Sequence, residues 1–379
     1  MRFTVSKHDL LSVLVTTGAI VEKSSNIAEM CLTVTATFGD AAIAISGTSR
    51  SVTGTNRVSA GIEAGGSLLL DAANLRNVVK ALPDGMIDFS EGENLRVNVK
   101  AGKSKYVLNG VDPTTAIPAP PLETAPPVIV DAAVLRKILD RSSFAIAPDD
   151  NRYGLNGLKL EIANSDEGQQ LRAIASDGNR LSWAQGPCSG TGAIPRRMLL
   201  PNKGVRHLRA MIADADGPVR IAFGDRACVA TCGNASLHMR LMEAEFPNYK
   251  EVIPTTFKRR AVVNRAAFLD SLKRVEVFCD TQHSVRIAFT SDGATLSTRK
   301  LDAGDAREEL EIATFEGDPI TMGFNIVFLR EALIAATEDA VQLRFGNELS
   351  PVLVCGQTGE PLDHIDESGV SIVMPVRLD

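Results

Sequence analysis

Aromatic side chains are scarce in this chain, which has one tryptophan (Trp183), three tyrosines and 14 phenylalanines among 379 residues. So little stacking surface argues against an aromatic platform for single-stranded nucleic acid. No apolar run approaches the ~20 residues that a membrane span requires. The opening Met1-Arg2-Phe3-Thr4-Val5-Ser6-Lys7 lacks the apolar stretch of a secretory signal, so a cytoplasmic protein is expected. The six cysteines, Cys31, Cys188, Cys228, Cys232, Cys279 and Cys355, contain no Cys-x-x-Cys pair. Cys228 and Cys232 fall in a strand-like segment, where i and i+4 stand about 13 Å apart, too far to share one ion. Reduced thiols packed as small apolar groups are expected.

Catalytic constellations are missing as well. His8, His207, His238, His283 and His364 show no metal-ligand spacing, and there is neither a Gly-x-Ser-x-Gly elbow nor a phosphate-binding loop. Asp149-Asp150 reads as a solvated loop pair. Ser176-Asp177-Gly178-Asn179-Arg180 reads as a turn between strands rather than a nucleophile site. With no convergent polar set, an enzyme on this scaffold is the weakest reading, and neither a cofactor nor a metal is expected.

What the chain does contain is a threefold repeat. An amphipathic helix opens each copy, around Asp9–Leu14, Ala133–Leu139 and Ala267–Leu272. A second helix follows at Leu75–Leu82, Val205–Ile212 and Phe328–Ile334. A similar strand comes next, at Met86–Phe89, Val219–Phe223 and Val341–Phe345. The period is roughly a third of the chain, a whole domain rather than a solenoid unit. Asp71, Asp131, Asn264 and Asn325 are candidate helix caps. Further strands are expected at 41–45, 95–99, 106–108, 158–162 and 285–289. Proline-rich connectors at 112–127 and 246–255 divide the copies, giving domains 1–125, 126–255 and 256–379. Two helices on one face of about eight strands make each copy an α+β domain.

Net charge is −6, yet the charge is sorted by element. The helices carry Arg76, Lys80, Arg136, Lys137, Arg141, Lys203, Arg206, Arg209, Lys273, Arg274 and Arg330. Acids gather in strands and loops, as at Glu91, Glu93, Asp302, Asp305, Glu308, Glu309 and Glu311. Such sorting places a basic surface on an acidic protein. The plainer alternative is a solvated helix face.

The repeat ends in Ile372-Val373-Met374-Pro375-Val376-Arg377-Leu378. Together with Phe3-Thr4-Val5, Arg152–Gly157, Ala175–Leu181, Pro201-Asn202-Lys203-Gly204, Phe246-Pro247-Asn248-Tyr249 and Gly323-Phe324-Asn325, it resembles the bacterial β sliding clamp family over essentially the whole length. Members of that family are processivity subunits of replicative DNA polymerase III. The resemblance implies a non-catalytic, head-to-tail homodimer forming a ring around double-stranded DNA, with helices inside and sheets outside. Lys23, Arg76, Lys80, Lys137, Asp149, Tyr153, Lys203, Arg206 and Arg209 would face DNA, without reading its sequence. Tyr106 and Leu108 of one protomer would meet Glu276, Val277 and Phe278 of the other.

A pocket between the second and third domains would take a short linear peptide from the polymerase catalytic subunit, the clamp loader and repair polymerases. Its residues would be Arg152, Leu155, Ser176, Gly178, Asn179, Arg180, Leu181, Pro247, Val252, Asn325, Phe328, Leu349, Pro351, Ile372, Met374, Pro375, Val376, Arg377 and Leu378. The sequence departs from the family pattern at Gly154, where a bulky residue is common, at Asn179 and at Glu251 on the rim. The segment 22–30 lacks the family's arginine. A divergent clamp serving repair or inhibitor resistance is an alternative, as is a protein-interaction scaffold without DNA.

Overall fold

The computed structural model describes residues 1–22, 24, 27–117, 125–148, 153–166, 168–357 and 368–378, leaving aside the side chains of Ile27 and Tyr153. Copy 1 runs β1 (Arg2–Ser6), α1 (Lys7–Gly18), β2 (Cys31–Ala36), β3 (Ala42–Thr48), β4 (Val52–Ala64), β5 (Gly66–Asp71), α2 (Ala72–Ala81), β6 (Met86–Glu91), β7 (Arg96–Ala101) and β8 (Ser104–Val111). Copy 2 opens with β9 (Pro127–Asp131), α3 (Ala132–Ser142), β10 (Gly157–Ser165), β11 (Gly168–Ser176), β12 (Arg180–Pro187) and β13 (Ser189–Gly190). It continues with β14 (Met198–Pro201), α4 (Asn202–Met211), β15 (Pro218–Phe223), β16 (Ala227–Cys232), β17 (Ala235–Arg240) and β18 (Met242–Glu243). Copy 3 opens with β19 (Arg259–Asn264), α5 (Arg265–Glu276), β20 (Ser284–Thr290), β21 (Gly293–Lys300) and β22 (Gly304–Leu310). It ends with β23 (Ile312–Glu316), β24 (Ile320–Asn325), α6 (Ile326–Ala335), β25 (Ala340–Phe345), β26 (Val352–Gly356) and β27 (Gly369–Val373).

All four expected caps are formed. Asp71 accepts from the Asn74 amide at 2.7 Å, Asp131 from Ala133 at 2.8 Å and Asn264 from Ala267 at 2.9 Å. Asn325 accepts from the amides of Val327 and Phe328. These bonds satisfy amides that have no partner inside the first helical turn. In α2, Ala72, Leu75 and Val79 are buried while Arg76 and Lys80 are exposed, the division that 3.6-residue periodicity dictates. The copy 1 core stacks Phe3 on Phe89 at 4.8 Å, and the copy 3 core tilts Phe289 against Phe345 at 5.2 Å.

The main strands of every copy fall into two groups of four, with β13, β18 and β23 added at sheet edges. The first groups are β1-β6-β7-β8, β9-β15-β16-β17 and β19-β25-β26-β27. The second are β5-β2-β3-β4, β14-β10-β11-β12 and β24-β20-β21-β22. Two compact units result, one of residues 1–133, 189–195 and 203–242, the other of 134–188, 196–202 and 243–379. Copy 2 is divided between them, its first strand group going to one unit and its second to the other.

Within the first unit, β4 of copy 1 pairs antiparallel with β17 of copy 2, from Val52↔Met239 to Asn56↔Ala235. Within the second, β12 of copy 2 pairs with β27 of copy 3, from Arg180↔Val373 to Ala184↔Gly369. Both junctions obey one rule. The last strand of a second group pairs with the last strand of the next copy's first group.

Candidate functional site

An apolar cleft of about 390 Å3 opens in the second unit beside the β12–β27 junction. Its floor comes from the turn between β11 and β12. Asp177 Oδ1 accepts from the amides of Asn179 (2.9 Å) and Arg180 (3.0 Å), and Ser176 Oγ donates to the Arg180 carbonyl at 2.8 Å. Gly178 adopts a φ of 88°, which favours glycine. The Met374 amide then donates to the Asn179 carbonyl at 2.9 Å, fastening the chain after β27 to this turn.

Leu155, Leu181 and Ile372 line the cleft from below, and Val252, 44% exposed, stands at its mouth. Arg180 lends its stem to the wall, because its guanidinium is already engaged. It bonds Asp177 and Glu331, donates to the Phe144 carbonyl at 3.0 Å and lies 4.6 Å from the Phe328 ring centre. The cleft is therefore hydrophobic with little free cationic character.

The structure brings together Leu155, Ser176, Gly178, Arg180, Leu181, Pro247, Val252, Ile372 and Met374 around one space. Several other expected members sit elsewhere. Asn325 is the cap of α6, and Phe328 packs beneath Arg180. Asn179 contributes its backbone to the turn, while Leu349 and Pro351 belong to the turn that leads into β26. The C-terminal segment leaves the cleft after Met374: Pro375 and Arg377 do not line it, and Val376 bridges to Gly323. Leu378 packs on Gly323, where an added Cβ would stand 2.6 Å from Leu378 Cδ2. Arg152 lies outside the described residues.

Glu245, Phe246, Tyr249 and Gly154 also line the cleft, beyond the pocket residues that the resemblance implies. Phe246-Pro247-Asn248-Tyr249 held the missing signal, two aromatics in a proline-rich connector. Tyr249 is buried and rigidly placed: its hydroxyl donates to Glu161 at 2.6 Å and accepts from Arg172 at 3.3 Å. Burial, then the Glu161 bond, push its pKa up to about 12.

Of the expected DNA-facing residues, Arg76, Lys80, Lys137, Arg206 and Arg209 are exposed on α2, α3 and α4. Lys203 departs from that expectation, since it is half-buried and bonds Glu22 and the Ile20 carbonyl. Arg141, expected on the basic helix surface though not among the DNA-facing residues, does not lie on it. It is turned inward at 4% exposure, paired with Glu338 at 2.6 Å and bonded to Thr337 and Ser368. Arg330 is paired with Glu276. Lys23 and Asp149 lie outside the described residues, as does the side chain of Tyr153.

The thiols are chemically quiet. Burial raises the pKa of Cys31 and Cys279 to about 11 and that of Cys228 higher still. Among the described residues no group of acids, histidines and cysteines could hold a metal ion. No described helix is long and apolar enough to cross a membrane.

Tandem α+β domains joined strand to strand, with basic residues on their helices and an apolar cleft, define a clamp scaffold. Three family models match in succession: the N-terminal domain of the DNA polymerase III beta subunit over residues 1–118, its central domain over 129–248 and its C-terminal domain over 250–368. A beta sliding clamp of Caulobacter vibrioides is 28% identical over 384 residues, with 100% of both chains covered. One of Pseudomonas putida is 27% identical over 391 residues, again with both fully covered. The crystal structure of the Caulobacter crescentus beta sliding clamp superposes with a TM-score of 0.88 at 26% identity, covering 100% of this chain and 99% of that one. The chain belongs to the bacterial β sliding clamp family, the DNA polymerase III beta subunits. Its function is accordingly that of a DNA sliding clamp, a processivity factor without catalytic activity.

Proposed function

We propose that this chain closes head to tail with a second copy into a ring around duplex DNA, and that the cleft docks short linear peptides of the polymerase catalytic subunit, the clamp loader and repair polymerases. The repeated junction carries this reading. Its rule leaves two strands over: β8, the copy 1 counterpart of β17 and β27, and β22, the copy 3 counterpart of β4 and β12. Among the described residues, Ser104–Asn109 of β8 pair only with β7, and β22 pairs only with β21. Joining β22 of one chain to β8 of another by the same pairing covers both edges, which would otherwise template aggregation.

Charge supports the pairing. Lys103 and Lys105 accompany β8, whereas β22 carries Asp305, Glu308 and Glu309 against the single Arg307. Tyr106, Val107 and Val277 are 39%, 50% and 70% exposed, and they offer apolar contact beside Glu276 and Phe278. Leu108 instead packs in part against the copy 1 core. In this reading the clamp domains span 1–125, 126–255 and 256–379, and the ring works at the replisome in the cytoplasm. Exposed arginines and lysines of α2, α3 and α4 meet phosphates without reading bases, so topology rather than affinity retains the ring.

The cleft suits two apolar anchors. Burial on the order of 100 Å2 each at ~25 cal/mol per Å2 gives about 5 kcal/mol before ordering costs, hence a Kd of roughly 0.2 mM or weaker from the anchors alone. Assembly is tested by sedimentation and by retention on closed circular against linearised DNA. Tyr106→Glu with Val277→Glu should yield folded monomers that slip from both. An unchanged dimer places the interface elsewhere.

A further inference from the structure

A second concavity, of about 640 Å3, lies on the solvent face of the β24-β20-β21-β22 sheet. Register builds it. Arg286 stands opposite Ser297, and Ser297 opposite Arg307, so the three side chains share one face. Arg299, two residues beyond Ser297, adds a third arginine on that face, opposite Asp305. On its other side Arg286 is opposite Gly323, and the C-terminal segment crosses at that glycine and brings in Arg377. Four arginines against the two aspartates lining the basin, Asp280 and Asp305, leave an excess of two positive charges. Asp280 is already occupied by the amides of Gln282 and Ser284, both at 3.0 Å. Arg307 reaches Glu309 only at 4.0 Å and in solvent, which neutralises little.

The basin is physically linked to the apolar cleft. Met374 lines the cleft and Arg377 lines the basin. Only two residues lie between them, so their Cα atoms are no more than about 11 Å apart. Exposed Glu245 lines the cleft, and exposed Glu251 follows in the same segment beside exposed Lys250, leaving that segment with one net negative charge. The arginine basin is thus the positive neighbour of a cleft whose own lining includes an exposed acid, Glu245.

We propose that the basin receives the acidic flank of a polypeptide whose apolar anchors fill the cleft, so that charge sets the direction in which the peptide lies. This rests on the peptide-docking reading of the cleft. A nucleic acid suits the basin less well, because a run of phosphates extending over β22 would meet Asp305 and the exposed Glu309, which share the arginines' face. Two or three carboxylates need only reach Arg286, Arg299 and Arg377.

Calorimetric titration of the intact protein with three synthetic peptides tests this. One carries the apolar anchors alone; the others add a three-residue spacer and two glutamates at one end or the other. One extended peptide should bind about tenfold tighter than the anchors at low salt, an advantage that shrinks as salt screens it, while the other gains nothing. Arg286→Glu with Arg299→Glu should abolish the advantage and leave the anchors-only affinity unchanged. Arg286→Lys with Arg299→Lys should keep most of it. No gain from either extension, or a gain that survives charge reversal, overturns the inference and leaves the cleft reading intact. Failure of the anchors-only peptide to bind overturns both. Arginine-dependent displacement of the extension by a short oligonucleotide would assign the basin to nucleic acid instead.

Discussion

Gly154 lets the backbone carbonyl of Glu245 pass through the space where a Cβ would otherwise stand. The obstruction is backbone rather than a flexible side-chain tip, so the cleft wall from Glu245 to Pro247 must move if residue 154 grows. Gly154→Ala should therefore loosen apolar peptide binding several-fold and cost about 1–3 kcal/mol of stability by overpacking. Peptide titration and urea unfolding of the variant check both effects. An alanine variant with unchanged peptide affinity would show that the close approach does not shape the cleft.

Arg141 and Glu338 should respond unequally to mutation. The guanidinium is 4% exposed and the carboxylate 31%, so deleting the acid strands a charge in a dry site, whereas deleting the base leaves an acid that can reach water. Glu338→Ala should cost about 3–5 kcal/mol, and Arg141→Met distinctly less. Combining the two should restore much of the loss. Denaturant midpoints of the three variants decide it, and equal costs for the single changes would contradict the asymmetry.

The same pair shows where sequence reading stops. Helix periodicity sets Arg141 one turn beyond Lys137, and that spacing suggested one shared basic stripe. Only tertiary structure shows that Thr337, Glu338 and Ser368 cover this end of the helix. The caps were legible because each is a contact within three residues. The turn from Ser176 to Leu181 was legible for the same reason. The course of the chain after Met374 was not, since it depends on a close approach to Gly323, some fifty residues away in sequence. Lys203 likewise reads as a solvent-facing cation in the sequence, because its partner Glu22 stands more than 180 residues earlier.

Salt dependence should separate exposed cations from the half-buried, ion-paired Lys203. Changing Arg76, Lys80, Lys137, Arg206 and Arg209 together to alanine should weaken DNA retention for all sequences alike. The slope of log affinity against log salt should fall by up to about 0.9 for each phosphate that is no longer neutralised. Lys203→Ala alone should alter the slope little, because Glu22 already balances that charge. Retention on closed circles over a salt series measures both. A Lys203 effect equal to that of Arg206→Ala would mean the Glu22 bond opens on DNA.

His207 should make the first unit sensitive to mild acid. It lines a cleft of about 280 Å3 with Asn56, Met211 and Asp214, close to Lys203 and Arg206. Burial first, then those two cations, lower its pKa to about 4, with Glu22 offsetting part of the shift. A histidine whose folded pKa lies below its unfolded value near 6.5 binds its proton first in the unfolded chain. Stability is therefore full above pH ~6.5, declines as the pH falls toward ~4, and levels off once both states are protonated. The loss attributable to His207 is roughly 1–2 kcal/mol after allowance for solvent screening. Buried His238 on β17, its pKa also lowered by burial, acts in the same direction at the β4–β17 junction. His207→Gln should flatten the decline between about pH 6.5 and 4.5 and change stability little at pH 8. Urea unfolding of wild type and variant across that range is the measurement, and parallel curves would show that His207 does not set the acid response.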